Sequence, residues 1–70
     1  MKFEIVVTSA PDRKNLVSEI WHNHVLVAEI NTETSEQAIT FYCEKASVFD
    51  FDDLVNALAE AASKLKGDGL

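Results

Sequence analysis

His22 and His24 lie two positions apart, and with Cys43, the acids Glu19 and Glu29, and the group Asp50, Asp52 and Asp53 they make up the chemistry this chain can offer. Two histidines and a carboxylate could form a metal-dependent hydrolase site. A structural zinc site, however, takes four protein ligands and a catalytic one three. The only thiol, Cys43, falls on the core side of its strand. The two histidines are therefore expected as exposed turn residues, with a pH-sensitive contact as their modest functional use. A thiol–imidazole pair would need Cys43 in an electropositive, partly exposed setting. Its neighbours are Tyr42 and Glu44, and a buried, inert cysteine is the expectation. Glu19 and Glu29 are expected to approach each other across a hairpin. Catalytic use would need a cleft that raises one of their pKa values. Asp50, Asp52 and Asp53 lack the glycine and distal glutamate of a calcium loop. Both glycines lie in the tail, so no glycine-rich phosphate loop is present. These residues point to a non-catalytic protein with no metal and no cofactor.

The elements that position these side chains follow from the apolar pattern. Lys2 to Thr8 alternates and is rich in β-branched residues, which predicts a strand. Pro11 and Asp12 break it. Leu16–His22 and Val25–Asn31 are the next two strands, joined by a tight turn in which Asn23 tolerates positive φ. The polar run Thr32–Glu36 closes a second hairpin, and Ala38–Glu44 is the fourth strand. Short connections suit antiparallel neighbours. The helix starts at Asp50, which can accept from the free N–H groups as N-cap. Asp52 and Asp53 suit the positive end of the helix dipole. Phe49 and Leu54 can form a hydrophobic staple. Phe51, Leu54, Val55, Leu58, Ala61, Ala62 and Leu65 form an apolar stripe for the core. Lys64 and Lys66 suit the last turn, Gly67 the C-cap, and Gly67–Leu70 a frayed end. The expected architecture is α+β, with residues 1–70 as a single domain: a four-stranded antiparallel meander with one C-terminal helix packed on one face.

Period two sorts the strands into two faces. Phe3, Ile5, Val7, Ile20, Leu26, Ala28, Ile30, Ile39, Phe41 and Cys43 share one, which the helix is expected to cover. Glu4, Val6, Val17, Glu19, Trp21, Val27, Glu29, Thr40, Tyr42 and Glu44 share the other. An unpaired buried carboxylate is expensive, so Glu19, Glu29 and Glu44 set the outward face. The expected contact surface is on that face, with Trp21 and Tyr42 as anchors, Val27 beside them, and Glu19, Glu29 and Glu44 as an acidic rim. Asp52 and Asp53 are a second acidic site.

Twelve acids against six bases give a net charge of −6. Phosphate binding by counterion release needs clustered Lys and Arg. Arg13 and Lys14 are the only adjacent pair, which argues against direct contact with nucleic acid or an anionic membrane. Complementary charge favours a basic protein partner. One cysteine permits no internal disulfide, no stretch reaches the length of a membrane span, and no signal-like leader follows Met1; a cytoplasmic location is expected. A chain this short hides only about 60% of its unfolded surface, so association would add needed stability.

Glu19-Ile20-Trp21, Val27-Ala28-Glu29-Ile30, Ile39-Thr40-Phe41-Tyr42 and Phe49-Asp50-Phe51 leading into a Leu/Ala helix give a pattern over most of the chain. It resembles the small acidic immunity proteins of bacterial toxin and contact-dependent inhibition systems. The resemblance implies a cytoplasmic inhibitor that binds one cognate toxin, often a nuclease with a basic cleft. A small homodimeric structural or adaptor domain is the alternative. The two differ in salt dependence and oligomeric state.

Overall fold

The computed structural model describes residues 1–68. The elements run β1 (Glu4–Ser9), β2 (Leu16–His22), β3 (Val25–Asn31), β4 (Ala38–Phe41) and α1 (Phe51–Asp68). The strands lie in sequence order in one sheet, and each is antiparallel to the next. This is the expected α+β meander with one helix on one face. β2 and β3 match their expected bounds, whereas β1 begins later and β4 stops at Phe41, short of Glu44.

The turns explain the topology. Asn23 and His24 both have positive φ, 49° and 64°. Two such residues between paired strands make a type I′ turn, whose twist matches that of the hairpin. At the opposite end, the Glu33 carboxylate accepts from the backbone N–H groups of Lys14 at 3.0 Å and Asn15 at 3.2 Å. One side chain from the β3–β4 loop thus ties down the β1–β2 loop.

Pairing sets the faces. Ile5, Ile20, Ala28 and Phe41 lie opposite one another in turn, as do Val6, Glu19, Glu29 and Thr40. The ladder slips between Ile20 and Trp21: Ile20 pairs with Ala28, but Trp21 pairs with Leu26. Val27 is the extra residue of this bulge, and strict alternation fails there. Instead of joining an outer patch, Val27 is buried in the core cluster, while Leu26 shifts into line with Trp21.

α1 starts as its sequence dictates. The Asp53 N–H donates to Asp50 Oδ2 at 3.0 Å, and the Leu54 N–H to the Asp50 carbonyl at 3.0 Å. Asp52 and Asp53 occupy the first turn and Lys66 the last. Lys64 pairs instead with Glu60, one turn back, at 3.2 Å. Gly67 does not cap the helix, because α1 continues through it to Asp68; Gly69 and Leu70 lie outside the described residues. Phe49 packs its ring 5.8 Å from that of Phe3.

The core joins Ile20, Ala28 and Ile30 of the sheet to Ala57, Ala61 and Leu65 of the helix, with Phe3, Ile5, Val7, Phe49 and Leu58 around them. Small residues at 57 and 61 let the helix backbone approach the sheet. Phe51 and Val55 were expected in this stripe but face outward. The cause is where the helix lies. α1 packs over β2 and β1, touches β3 less, and makes no close backbone approach to β4. Asp53, Asn56 and Glu60 border the start of β1. The flank carrying Phe51 and Val55, spaced one turn apart, therefore turns toward β4. A helix about 10 Å across cannot span four strands roughly 4.8 Å apart. Ile39, Phe41 and Cys43, expected beneath the helix, are exposed for the same reason.

Candidate protein-binding surface

On the sheet face away from α1, the expected residues come together but do not remain open. Trp21 is half-buried, and its Nε1–H donates to Glu19 Oε1 at 3.1 Å. Glu19 and Glu29 lie directly opposite each other in the β2–β3 ladder, as expected. Like charges so placed repel, and each carboxylate has its own donors. Glu29 is only 4% exposed. Its Oε2 accepts from Arg13 Nε at 2.9 Å and from Asn31 Nδ2 at 3.1 Å. Its Oε1 accepts a longer bond, 3.5 Å, from the Tyr42 hydroxyl. Glu29 is thus no exposed rim residue waiting for a partner's cation. Arg13 already supplies the cation, reaching from the β1–β2 loop. Glu29 and Tyr42 hold the Arg13 guanidinium above its ordinary pKa, the bond to Glu29 being the larger cause.

Val17 lies on the same face with no helix above it, yet it is fully buried. The expected outer patch of Val6, Val17, Trp21, Val27 and Tyr42 is reduced to Tyr42 and Val6, which are exposed, and half-buried Trp21. Arg13 was the missed residue. Its only sequence signal was that a buried acid on a strand must find a base.

The remaining expected residues lie elsewhere. Glu44 is exposed in the segment after β4. Asp52 is exposed on the first turn of α1, and Asp53 pairs with the Met1 amino group at 2.9 Å. That pairing raises the amino group's pKa, chiefly through the hydrogen bond to Asp53. Glu19, Glu29, Trp21 and Tyr42 are brought together; Asp52 and Asp53 are not brought to them.

The histidines separate. His24 is exposed in the turn. His22 is half-buried and structural rather than an exposed turn residue. Its Nδ1–H donates to the Lys2 carbonyl at 2.9 Å, and its ring lies 5.3 Å from Phe3 and 6.2 Å from Phe49. This cluster anchors the segment that enters α1. Among the described residues, no group of three or more His, Cys, Asp or Glu side chains is placed to hold a metal ion.

Apolar side chains are exposed on the other face, beside β4. Phe51 is 76% exposed and Phe41 53%. Val55 and Ile39 are exposed with them. Phe51, Val55, Leu58 and Ala62 follow the spacing i, i+4, i+7, i+11 and form one flank of α1. Ile39 and Phe41 form the floor on the helix side of the sheet, in line with Ile30 and Ala28. Gln37 Nε2 donates to the Ala62 carbonyl at 3.2 Å and closes one end. The result is an open groove between helix and edge strand whose wall and floor carry no ionisable group.

No helix among the described residues is long and apolar enough to cross a membrane. Compared with known proteins, the chain matches no family model, no curated protein and no solved structure.

Proposed function

We propose that this chain is a non-catalytic protein-binding domain. One observation carries the reading: Ile39 and Phe41 on the helix side of β4, and Phe51 and Val55 on the flank of α1 that turns toward it, are all exposed. Contiguous apolar surface of this kind marks contact sites in small proteins, and aromatic residues supply much of the energy at such sites. The more specific form is an immunity-type inhibitor that binds a basic bacterial toxin, such as a nuclease domain, by stoichiometric contact in the cytoplasm. The net charge of −6 supports a basic partner, and Glu4, Glu44, Asp50 and Asp52 are exposed to meet it. Glu29 takes no part, because Arg13 already neutralises it.

Quantitative capture from the native host tests this. Wild-type chain, Phe51→Asp, and a Glu4→Lys/Glu44→Lys variant are immobilised side by side. A partner retained in equimolar amount by wild type and lost from Phe51→Asp supports binding through the groove. A basic protein lost only from the lysine variant assigns contact to the acidic surface and favours the inhibitor form. Equal retention on all three, or none on any from a chain that is also monomeric, removes the reading.

A further inference from the structure

We infer that the groove between α1 and β4 is filled by a second copy of this chain, with Phe51 of each copy set against Phe41 of the other. The inference rests on the protein-binding reading and names the occupant.

The chain carries both halves of such a contact. It has a bare floor, Ile39 and Phe41, and a projecting apolar ridge, Phe51 and Val55. A two-fold contact requires one surface to complement itself, residue i meeting j while j meets i. Ridge on floor, twice, satisfies that condition. The floor exists because one helix cannot span four strands: α1 covers β1 to β3 and leaves the helix side of β4 open.

The area is also of the right size. An aromatic side chain presents roughly 150–250 Å². At the exposures found, Phe41, Phe51, Ile39 and Val55 together offer on the order of 400 Å² of apolar surface. A standard interface buries roughly 800 Å² per partner, a little over half of it apolar. The edge itself is undefended. β4 reads Ala-Ile-Thr-Phe, with no lysine, proline or inward-pointing charge of the kind that blunts exposed edges. β1, the other edge, carries Glu4 and is preceded by Lys2.

The charge sets a signature. Each copy bears −6, so association must overcome mutual repulsion outside the seam. Added salt screens that repulsion. Self-association should hold or tighten as salt rises, whereas a contact with a basic foreign protein should weaken.

The test is light scattering on size exclusion with the purified chain, its Phe51→Asp and Phe41→Lys variants, and their equimolar mixture. Wild type should run at twice the 7.8 kDa chain mass. Each variant should be weakened roughly thirtyfold or more, as expected for loss of a central aromatic anchor. Mixing them should restore a one-to-one dimer, since one contact becomes Asp on Lys and the other stays Phe on Phe. Circular dichroism confirms that each variant is folded. Phe51→Asp places an acid in the first turn of a helix, where it is well tolerated, and so stays informative if Phe41→Lys does not fold. A wild-type chain that stays monomeric to millimolar concentration overturns the inference. So does a dimer that survives both substitutions. A monomer that still captures a host protein through Phe51 leaves the binding-domain reading standing without the second copy. A monomer that captures nothing removes both.

Discussion

On the sheet face away from α1, Arg13 lies over Glu29 and donates to it, Tyr42 and Asn31 donate to the same carboxylate, and Trp21 holds Glu19. On the helix side, beside β4, Phe41 and Phe51 face solvent. The two regions lie on opposite sides of one thin sheet. The first has no helix and closes itself with long polar side chains. The second lies beside a helix and remains open, because that helix is rolled toward β1. Cover on a small sheet thus depends on reach rather than on the number of elements. Arg13, on a loop, closes over Glu29, whereas α1 makes no close backbone approach to β4. A charged face can be sealed from within the chain when one base can reach one acid. An apolar floor needs a surface of similar width laid on it.

The strongest way to break the comparison is to remove the core that both regions share. Ile20 is fully buried between α1 and the sheet. Ile20→Ala should cost about 2–5 kcal/mol, against a margin of about 3–5 kcal/mol for a core this small. The variant should be largely unfolded by circular dichroism at room temperature, with network and groove lost together. A cooperative, near-wild-type urea transition would mean that stability comes from elsewhere, association included.

Next comes the closed face alone. Arg13→Met keeps the bulk of the side chain and removes the cation, leaving the Glu29 carboxylate buried with only Asn31 and Tyr42 as donors. A stranded buried charge is worse than a neutral pair. The urea midpoint should fall clearly, though by less than in Ile20→Ala. Adding Glu29→Gln should restore most of it, since the amide oxygen can accept from Asn31 while the amide NH2 donates to the Tyr42 hydroxyl oxygen, with no charge to satisfy. If Arg13→Met is neutral by itself, the outer face does not depend on Arg13, and the contrast between the two regions fails.

The same contrast marks what was legible in the sequence. β2, β3, the Asn23-His24 turn and the Asp50 cap were all readable, because each is a local matter of alternation, positive φ or a missing N–H partner. The Glu19–Glu29 register was readable too. Arg13 over Glu29 was not, since a loop side chain meets a strand sixteen residues later and no local pattern records it. Val27 was misplaced because one bulged residue breaks period two. The groove was hidden by an ambiguity of the helix itself. Phe51, Val55, Leu58 and Ala62 form as good a stripe as Ala57, Ala61 and Leu65, and sequence period does not state the roll. What tells them apart is distance: alanines at 57 and 61 let the backbone come close, and phenylalanine at 51 would hold it off.

The open flank is tested with little change in monomer stability. Phe51→Asp removes a ring that is mostly in water and adds an acid to the first helical turn. The monomer's free energy of unfolding should move by no more than about 0.5 kcal/mol, as for other exposed sites. Association should nevertheless be lost. Trp21 sits on the opposite face, so its fluorescence should not follow association through the groove. A Trp21 spectrum that changes with protein concentration would move the contact to the outer face and reverse the roles of the two regions.

The smallest effect expected is a gain, and it lies in the hairpin that both faces share. His24 holds φ at 64°, where a Cβ crowds the backbone. Asn followed by Gly is the favoured pair for a type I′ turn. His24 is exposed, and unlike His22 it has no part in the Phe3–Phe49 cluster. His24→Gly should therefore relieve strain, offset in part by the greater freedom of glycine in the unfolded chain, for a net gain of a few tenths to about 1 kcal/mol. Equilibrium unfolding at fixed protein concentration measures it. Because the turn touches neither the Arg13 network nor the groove, the gain should add to the loss in Arg13→Met and leave association unchanged. A loss of stability instead would mean that the His24 side chain contributes to the fold in a way its exposure does not suggest, and the turn could no longer be treated as independent of the two regions it joins.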